Sequence, residues 1–181
     1  AQTGVDWRLL AAIGYQESKW DPDAQSPMGA SGMMMLTSGT ADSLGVEDRS
    51  DPRESILAGA RYLQAVREKV PAHIPEPDRT WLAIAAYNVG YGHVEDARRL
   101  AQMRGKNPDS WPDVREQLPL LADESWYERL KHGFARGAEP AQFVDRIQRF
   151  LKLLEWQPGN PRRAQPTSAN PDATWVERPA A

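Results

Sequence analysis

Apolar residues recur at three- and four-residue steps along most of the chain from Val5 to Trp156, the spacing of one face of a helix. Val5, Leu9, Ala12 and Ile13 set out a first helix that Asp6 caps. It must end near Lys19, because Asp21 precedes Pro22 and is biased away from helical backbone. Asp51-Pro52-Arg53-Glu54 is a strong start signal: a cap, proline at the first helical position and Glu at the capping-box position. Ile56, Leu57, Ala60, Leu63 and Val66 carry that helix on, and Pro71 closes it. A third helix runs from about Asp78 through Trp81, Ile84 and Ala85 to Asn88-Val89-Gly90. A fourth covers about Val94 to Met103, with Gly105 as its stop. Pro112 opens a short segment and Trp126 to Lys131 forms another. Pro140 opens the last long helix, with Phe143, Val144, Ile147, Phe150, Leu151 and Leu154 on its apolar face. No stretch alternates with period two, so the expected class is all-α with short loops.

The pattern stops at the end. Residues 157–181 contain five prolines, few apolar positions and no periodicity, which makes them poor core formers. The expected organisation is one domain over 1–156 and a flexible Pro-rich tail over 157–181, with Trp175 as an anchor if the tail docks. Residues 1–4 carry neither Met nor a signal-peptide pattern, and a periodic segment follows at once. The chain therefore reads as a mature domain or an excised fragment.

Composition removes several classes of function. A net charge of −3 argues against nucleic-acid partners, which call for a basic patch or stripe. No apolar run is long enough to span a membrane. Absence of cysteine removes thiolate nucleophiles, disulfides and Cys-ligated zinc. His73, His93 and His132 are scattered and lack metal-ligand spacing, so neither metal nor cofactor is expected. Trp81, Trp111, Trp126 and Trp156 read as packing residues, and Arg98-Arg99 and Asp123-Glu124 as solvated faces.

Three segments carry chemistry. In Tyr15-Gln16-Glu17-Ser18-Lys19-Trp20-Asp21-Pro22, Glu17 lies in the last turn of a helix. Position alone favours an ordinary solvated carboxylate. However, the negative end of the helix dipole favours its protonated form, and apolar surroundings would push the same way. A carboxylic acid kept protonated near neutral pH suits general-acid cleavage of a glycoside. The second segment, Ser26 to Thr37, has a shaped loop with Gly29 and Gly32 and then three methionines, Met33 to Met35. Thioethers suit a groove wall or an irregular core, and at least one of the three belongs to the core. In the third, Ala85 to Val94, Tyr87 and Asn88 sit at a helix C-terminus where they could enter a cleft. Asn88 and Gly90 also read as a simple helix stop.

Glu-Ser-x-Trp-Asp-Pro, Ser-Pro-x-Gly-x-x-Gly-Met-Met-Met-Leu and Ala-Tyr-Asn-x-Gly-x-Gly-His together resemble the catalytic domain of lytic transglycosylases over roughly Val5 to Trp156. The resemblance implies a lysozyme-like (goose-type) helical fold and cleavage of bacterial peptidoglycan between N-acetylmuramic acid and N-acetylglucosamine. Glu17 matches the single acid/base, and Ser26 a serine that places an acetamido group or a catalytic oxygen. Gly32 and Met35 match the groove wall, and Tyr87 and Asn88 the cleft residues opposite the Glu. Two departures stand out: Met35 replaces the family's usual Gln, and Phe143 replaces a Tyr in the closing motif.

Asp21 and Asp23 are the nearest candidates for a second carboxylate, and turn duty explains Asp21. A lytic transglycosylase needs none, since the muramoyl C6 hydroxyl attacks and leaves a 1,6-anhydro end. The rival readings are a lysozyme-like hydrolase, which uses water, and a non-catalytic peptidoglycan-binding module. Asp-Trp-Arg-Leu-Leu-Ala-Ala-Ile ahead of Glu17 adds a likeness to membrane-bound members of the family. That likeness implies a solute-binding-like regulatory module upstream, a location on the periplasmic face of the outer membrane, and a domain that is monomeric by itself.

Overall fold

A computed structural model of the chain describes residues 3–155. The tail over 157–181, with Trp175, and also Trp156 lie outside the described residues. Eight α-helices occur among the described residues: α1 (Trp7–Ser18), α2 (Ser38–Leu44), α3 (Pro52–Lys69), α4 (Asp78–Val89), α5 (Tyr91–Met103), α6 (Trp111–Gln117), α7 (Glu124–Tyr127) and α8 (Ala138–Glu155). A 3₁₀ turn, Leu118–Ala122, joins α6 to α7. Extended pairing among these residues is limited to isolated bridges, Gln25 with Ser31 and Ser31 with Leu36.

The fold is built around α4. Its run Leu82-Ala83-Ile84-Ala85-Ala86-Tyr87 is buried on every side, as a helix apolar all round should be. α3, α5, α6 and α8 pack against it. Ala83, Ala85 and Ala86 let neighbours come close, while Val66, Leu100, Leu118 and Ile147 fill the surrounding core. α1 lies on α8 and α3 at the edge of this bundle.

Helix starts follow their sequence signals. Asp6 accepts from the Arg8 amide at 2.9 Å, and Asp51 from the Glu54 amide at 2.7 Å. The capping box at α3 is only half closed. Glu54 Oε2 turns to the Glu47 and Asp48 amides, both at 3.1 Å, and so ties the preceding loop to the helix. Other boundaries differ from expectation. α5 begins at Tyr91, because Gly90 makes the break between α4 and α5 with φ 89°. The segment expected over Trp126 to Lys131 is helical only through Tyr127. Arg98 is no solvated charge: it donates to the Pro108 carbonyl at 2.9 Å and to Asp109 at 2.6 Å.

α2 was not expected, and neither was the conformation of the methionines. Met33 to Met35 form a turn, with Met35 at φ 48°. Met34 is buried against Gly14 of α1 and Gly59 of α3. The turn is fixed from three sides. Ser18 Oγ donates to the Met33 carbonyl at 2.9 Å, the Met34 amide donates to buried Ser55 Oγ at 3.2 Å, and Arg49 donates to the carbonyls of Gly29 and Leu36 at 2.8 and 3.1 Å.

Gly32 makes this loop possible. Its φ is +80°, and a Cβ there would lie 1.9 Å from the Arg49 carbonyl oxygen. Gly32→Ala is expected to destabilise the domain by at least about 1–3 kcal/mol from backbone strain alone. Gly39→Ala, at an open helical position, should be neutral or stabilise by up to about 1 kcal/mol. Denaturant unfolding of the two variants checks this; equal effects would remove the loop's special requirement.

Candidate functional site

α1 delivers Glu17 to a cavity because of how the helix stops. Lys19 and Trp20 are both left-handed, with φ 59° and 65°. Such residues cost roughly 1–2 kcal/mol each and persist only where other contacts fix them. The Lys19 amide returns to the Tyr15 carbonyl at 3.0 Å, and Trp20 Nε1 donates to the Ala11 carbonyl at 2.9 Å. The Trp20 ring packs on Tyr15 and Phe150, at centroid distances of 5.1 and 6.0 Å, and Tyr15 stacks on Phe150 at 4.7 Å. Trp20 is therefore a clamp on the helix end.

The cavity beside Glu17 has a volume of about 670 Å³, within the range of small-molecule sites. The loop supplies Ser26, Met28, Ala30, Met35, Leu36 and Thr37, and α2 adds Thr40. Opposite them stand Tyr62 from α3 and Tyr87, Asn88 and Val89 from α4. Arg136 and Glu139, at the entry to α8, complete the lining.

Burial alone pushes the Glu17 carboxyl up to about 7. Two cations close to this end of α1, Lys19 and Arg146, are held by other groups. Lys19 Nζ donates to the Tyr15 carbonyl at 3.2 Å and lies 4.4 Å over the Tyr15 ring. Arg146 donates to Gln16 at 3.1 Å. Uncompensated desolvation of this kind leaves both the protonated and the ionised form populated near neutral pH.

Tyr87 is buried, and its hydroxyl donates to the Met34 carbonyl at 2.9 Å. Burial first, then the nearby charge of Glu17 and the neighbouring Tyr62, hold its pKa well above the usual phenol value. Its proton is thus committed to the loop. Tyr87 ties the end of α4 to the methionine turn, with Tyr62 packed edge-on at 5.0 Å. Ser26 Oγ accepts from the Ala30 amide at 3.0 Å, which leaves its O–H free to donate.

Of the site residues expected from sequence, Glu17, Ser26, Met35, Tyr87 and Asn88 line one cavity. Gly32 is buried beneath the loop and stands outside that lining. Phe143 is in the core, only 3% exposed. Asp21 and Asp23 are exposed, and Asp21 accepts from the Asp23 amide at 3.0 Å in a turn away from the cavity. Tyr62, Thr37, Thr40, Arg136 and Glu139 were not anticipated, and Glu139 is the second carboxylate of the lining. Among the described residues no cluster of His, Asp and Glu suits a metal ion.

Glu17 has a pKa of about 7 in the fold against 4.5 for the free side chain. Folding therefore favours its neutral form. The stabilisation is complete below the free value and is lost as pH rises through the folded one. Glu17→Gln should leave stability unchanged at about pH 4 and raise it by about 1–3 kcal/mol at about pH 8. Urea unfolding at both pH values checks this; no gain at the higher pH would mean that the carboxyl ionises without penalty.

Comparison with known proteins agrees with the motifs. The profile of the transglycosylase SLT domain matches residues 1–110. The chain is 57% identical over 153 residues to the membrane-bound lytic murein transglycosylase F of Marinobacter nauticus, covering 84% of this chain and 30% of that protein. It is 50% identical over 182 residues to the protein of the same name from Aeromonas salmonicida, covering 97% of this chain and 36% of that one. The chain thus spans about a third of the length of the curated relatives it matches. Among solved structures, an inactive mutant of the lytic transglycosylase Slt from Pseudomonas aeruginosa shares the fold, with a TM-score of 0.60 and 24% identity over 87% of this chain and 23% of that one. By this profile match and these relatives, the chain belongs to the transglycosylase SLT domain family.

Proposed function

We propose that this chain is the catalytic domain of a peptidoglycan lytic transglycosylase, with Glu17 as acid and then base. The observation that carries the reading is a desolvated Glu17, raised to about 7, facing a cavity with Ser26, Tyr87 and Asn88. Glu17 protonates the glycosidic oxygen between N-acetylmuramic acid and N-acetylglucosamine, and the bond from that oxygen to the muramoyl anomeric carbon breaks. The muramoyl N-acetyl oxygen supports the cationic centre. The Glu17 carboxylate then takes the C6 hydroxyl proton as O6 closes on the anomeric carbon. The product is a 1,6-anhydromuramoyl end, no water is consumed, and Glu17 regains its proton. A single group serving both steps needs a pKa near the working pH.

Ser26 and Asn88 have the donor and acceptor groups to hold acetamido and hydroxyl substituents. Met35 forms part of the groove wall, and Gly32 acts on the site by shaping the loop that carries Met35. Tyr87, with its proton on Met34, acts by holding that loop against Glu17. The names of the relatives support a periplasmic, membrane-associated setting on peptidoglycan for the whole protein. The rest of their length leaves room for a regulatory module.

Digestion of purified peptidoglycan, followed by mass spectrometry of the released muropeptides, tests the reading. Anhydromuramoyl products are expected, lighter by one water than hydrolytic ones. Glu17→Gln should lower turnover by about 100- to 10,000-fold, and wild-type kcat/KM should fall as pH rises above about 7. Reducing-end products would instead mean hydrolysis and turn attention to Glu139. An unaffected Glu17→Gln variant would remove Glu17 from the chemistry.

A further inference from the structure

Arg136 is the one cation among the residues that line the Glu17 cavity, and nothing in the proposed chemistry uses it. Its surroundings separate backbone from side chain. The backbone of its segment is held tightly. Asp96, only 3% exposed, accepts from the Lys131 and His132 amides at 3.2 and 2.8 Å. The Ala135 amide donates to the Leu121 carbonyl at 2.9 Å, and the Arg136 carbonyl accepts from the Glu139 amide at 3.0 Å. Gly137 lies so close to the 3₁₀ turn that a Cβ there would be 1.7 Å from the Leu118 carbonyl oxygen.

The guanidinium, in contrast, is nearly free. Its ion pair is with Glu139 at 3.7 Å, and the two side chains are 77% and 65% exposed. Such a pair holds weakly and exchanges readily for a better acceptor. Four other arginines are firmly occupied: Arg49 by loop carbonyls, Arg98 by Asp109, Arg104 by Gln117 and Arg115 by Asp145. The fixed backbone places this guanidinium at the cavity rim, where an incoming anion can take the place of Glu139. A carboxylate, bound through two parallel N–H···O contacts, fits it best.

On the transglycosylase reading, the carbohydrate backbone itself offers no charge. Anionic groups enter through the muramoyl C3 position, either as the free lactyl carboxylate or as carboxylates of the peptide attached there. We infer that Arg136 is a specificity-determining residue that binds a carboxylate carried on the muramoyl C3 side chain, and so selects muramoyl-containing strands over uncharged glycan.

Calorimetric binding tests this without depending on turnover. The full chain carrying Glu17→Gln is titrated with three soluble fragments: a disaccharide with its peptide, the same disaccharide with a free lactyl carboxylate, and that disaccharide with the lactyl group capped as a neutral amide. Adding Arg136→Gln should weaken binding about tenfold for the carboxylate-bearing fragments and leave the capped one unchanged. Arg136→Lys should recover part of the loss. A loss confined to the first fragment identifies the peptide carboxylates as the source, and a loss on the second identifies the lactyl carboxylate. Equal losses on all three fragments, or no loss on any, would overturn the inference. Failure of every fragment to bind the Glu17→Gln chain would overturn the peptidoglycan reading itself, and the inference with it.

Discussion

Removing a carboxylate from water costs more than almost any other change a side chain undergoes on folding, and the cavity side of this domain is organised around one such removal. Glu17 sits at a helix end where its burial is uncompensated by charge, so the carboxyl holds its proton more tightly than in water. The rest follows from holding that position. Trp20 and Phe150 clamp the left-handed stop of α1, and Ser18 joins the same helix end to the methionine turn. Tyr87 reaches the turn from the other side through the Met34 carbonyl. One acid is thereby fixed between two helices and a loop with few degrees of freedom left.

The stiffness of the loop is what makes a lone acid useful. The turn over Met33 to Met35, with positive φ at Met35, sends neighbouring side chains to different places. Met34 goes to the core, while Met35 faces the cavity. Substrate-positioning groups on such a support need no reorganisation when charge develops. The same division recurs at the entry to α8, where buried Asp96 fixes the backbone and Arg136 keeps its side chain free.

Much of this was legible in the chain. Asp6 and Asp51 announced their helices through capping chemistry, which is local and survives any tertiary setting. The periodic run through Trp81, Ile84 and Ala85 marked the helix that ends at Val89, and five of six expected cleft residues line one cavity. What escaped was decided by contacts far apart in sequence. Five of the seven residues of α2 are Ser, Gly, Thr or Asp, weak helix formers, and Thr37 caps the helix while Ala41 packs inward. Gly32 looked like a groove-wall residue, but the Arg49 carbonyl, seventeen positions later in the chain, defines its place. Arg136 and Glu139 reach the cavity only through the path of the chain after α7. Tyr62 is one turn from core positions of α3 and carries no local mark of facing a site.

The protonation state of Glu17 is the point on which all of this turns, and it is directly measurable. Selective carbon-13 labelling of glutamate, with assignment of the Glu17 side-chain carboxyl and its titration by NMR in the intact chain, gives its pKa. The expected value is about 7. A midpoint near the free value of 4.5 would show an ordinary ionised carboxylate at neutral pH, and would contradict the use of Glu17 as a resident acid.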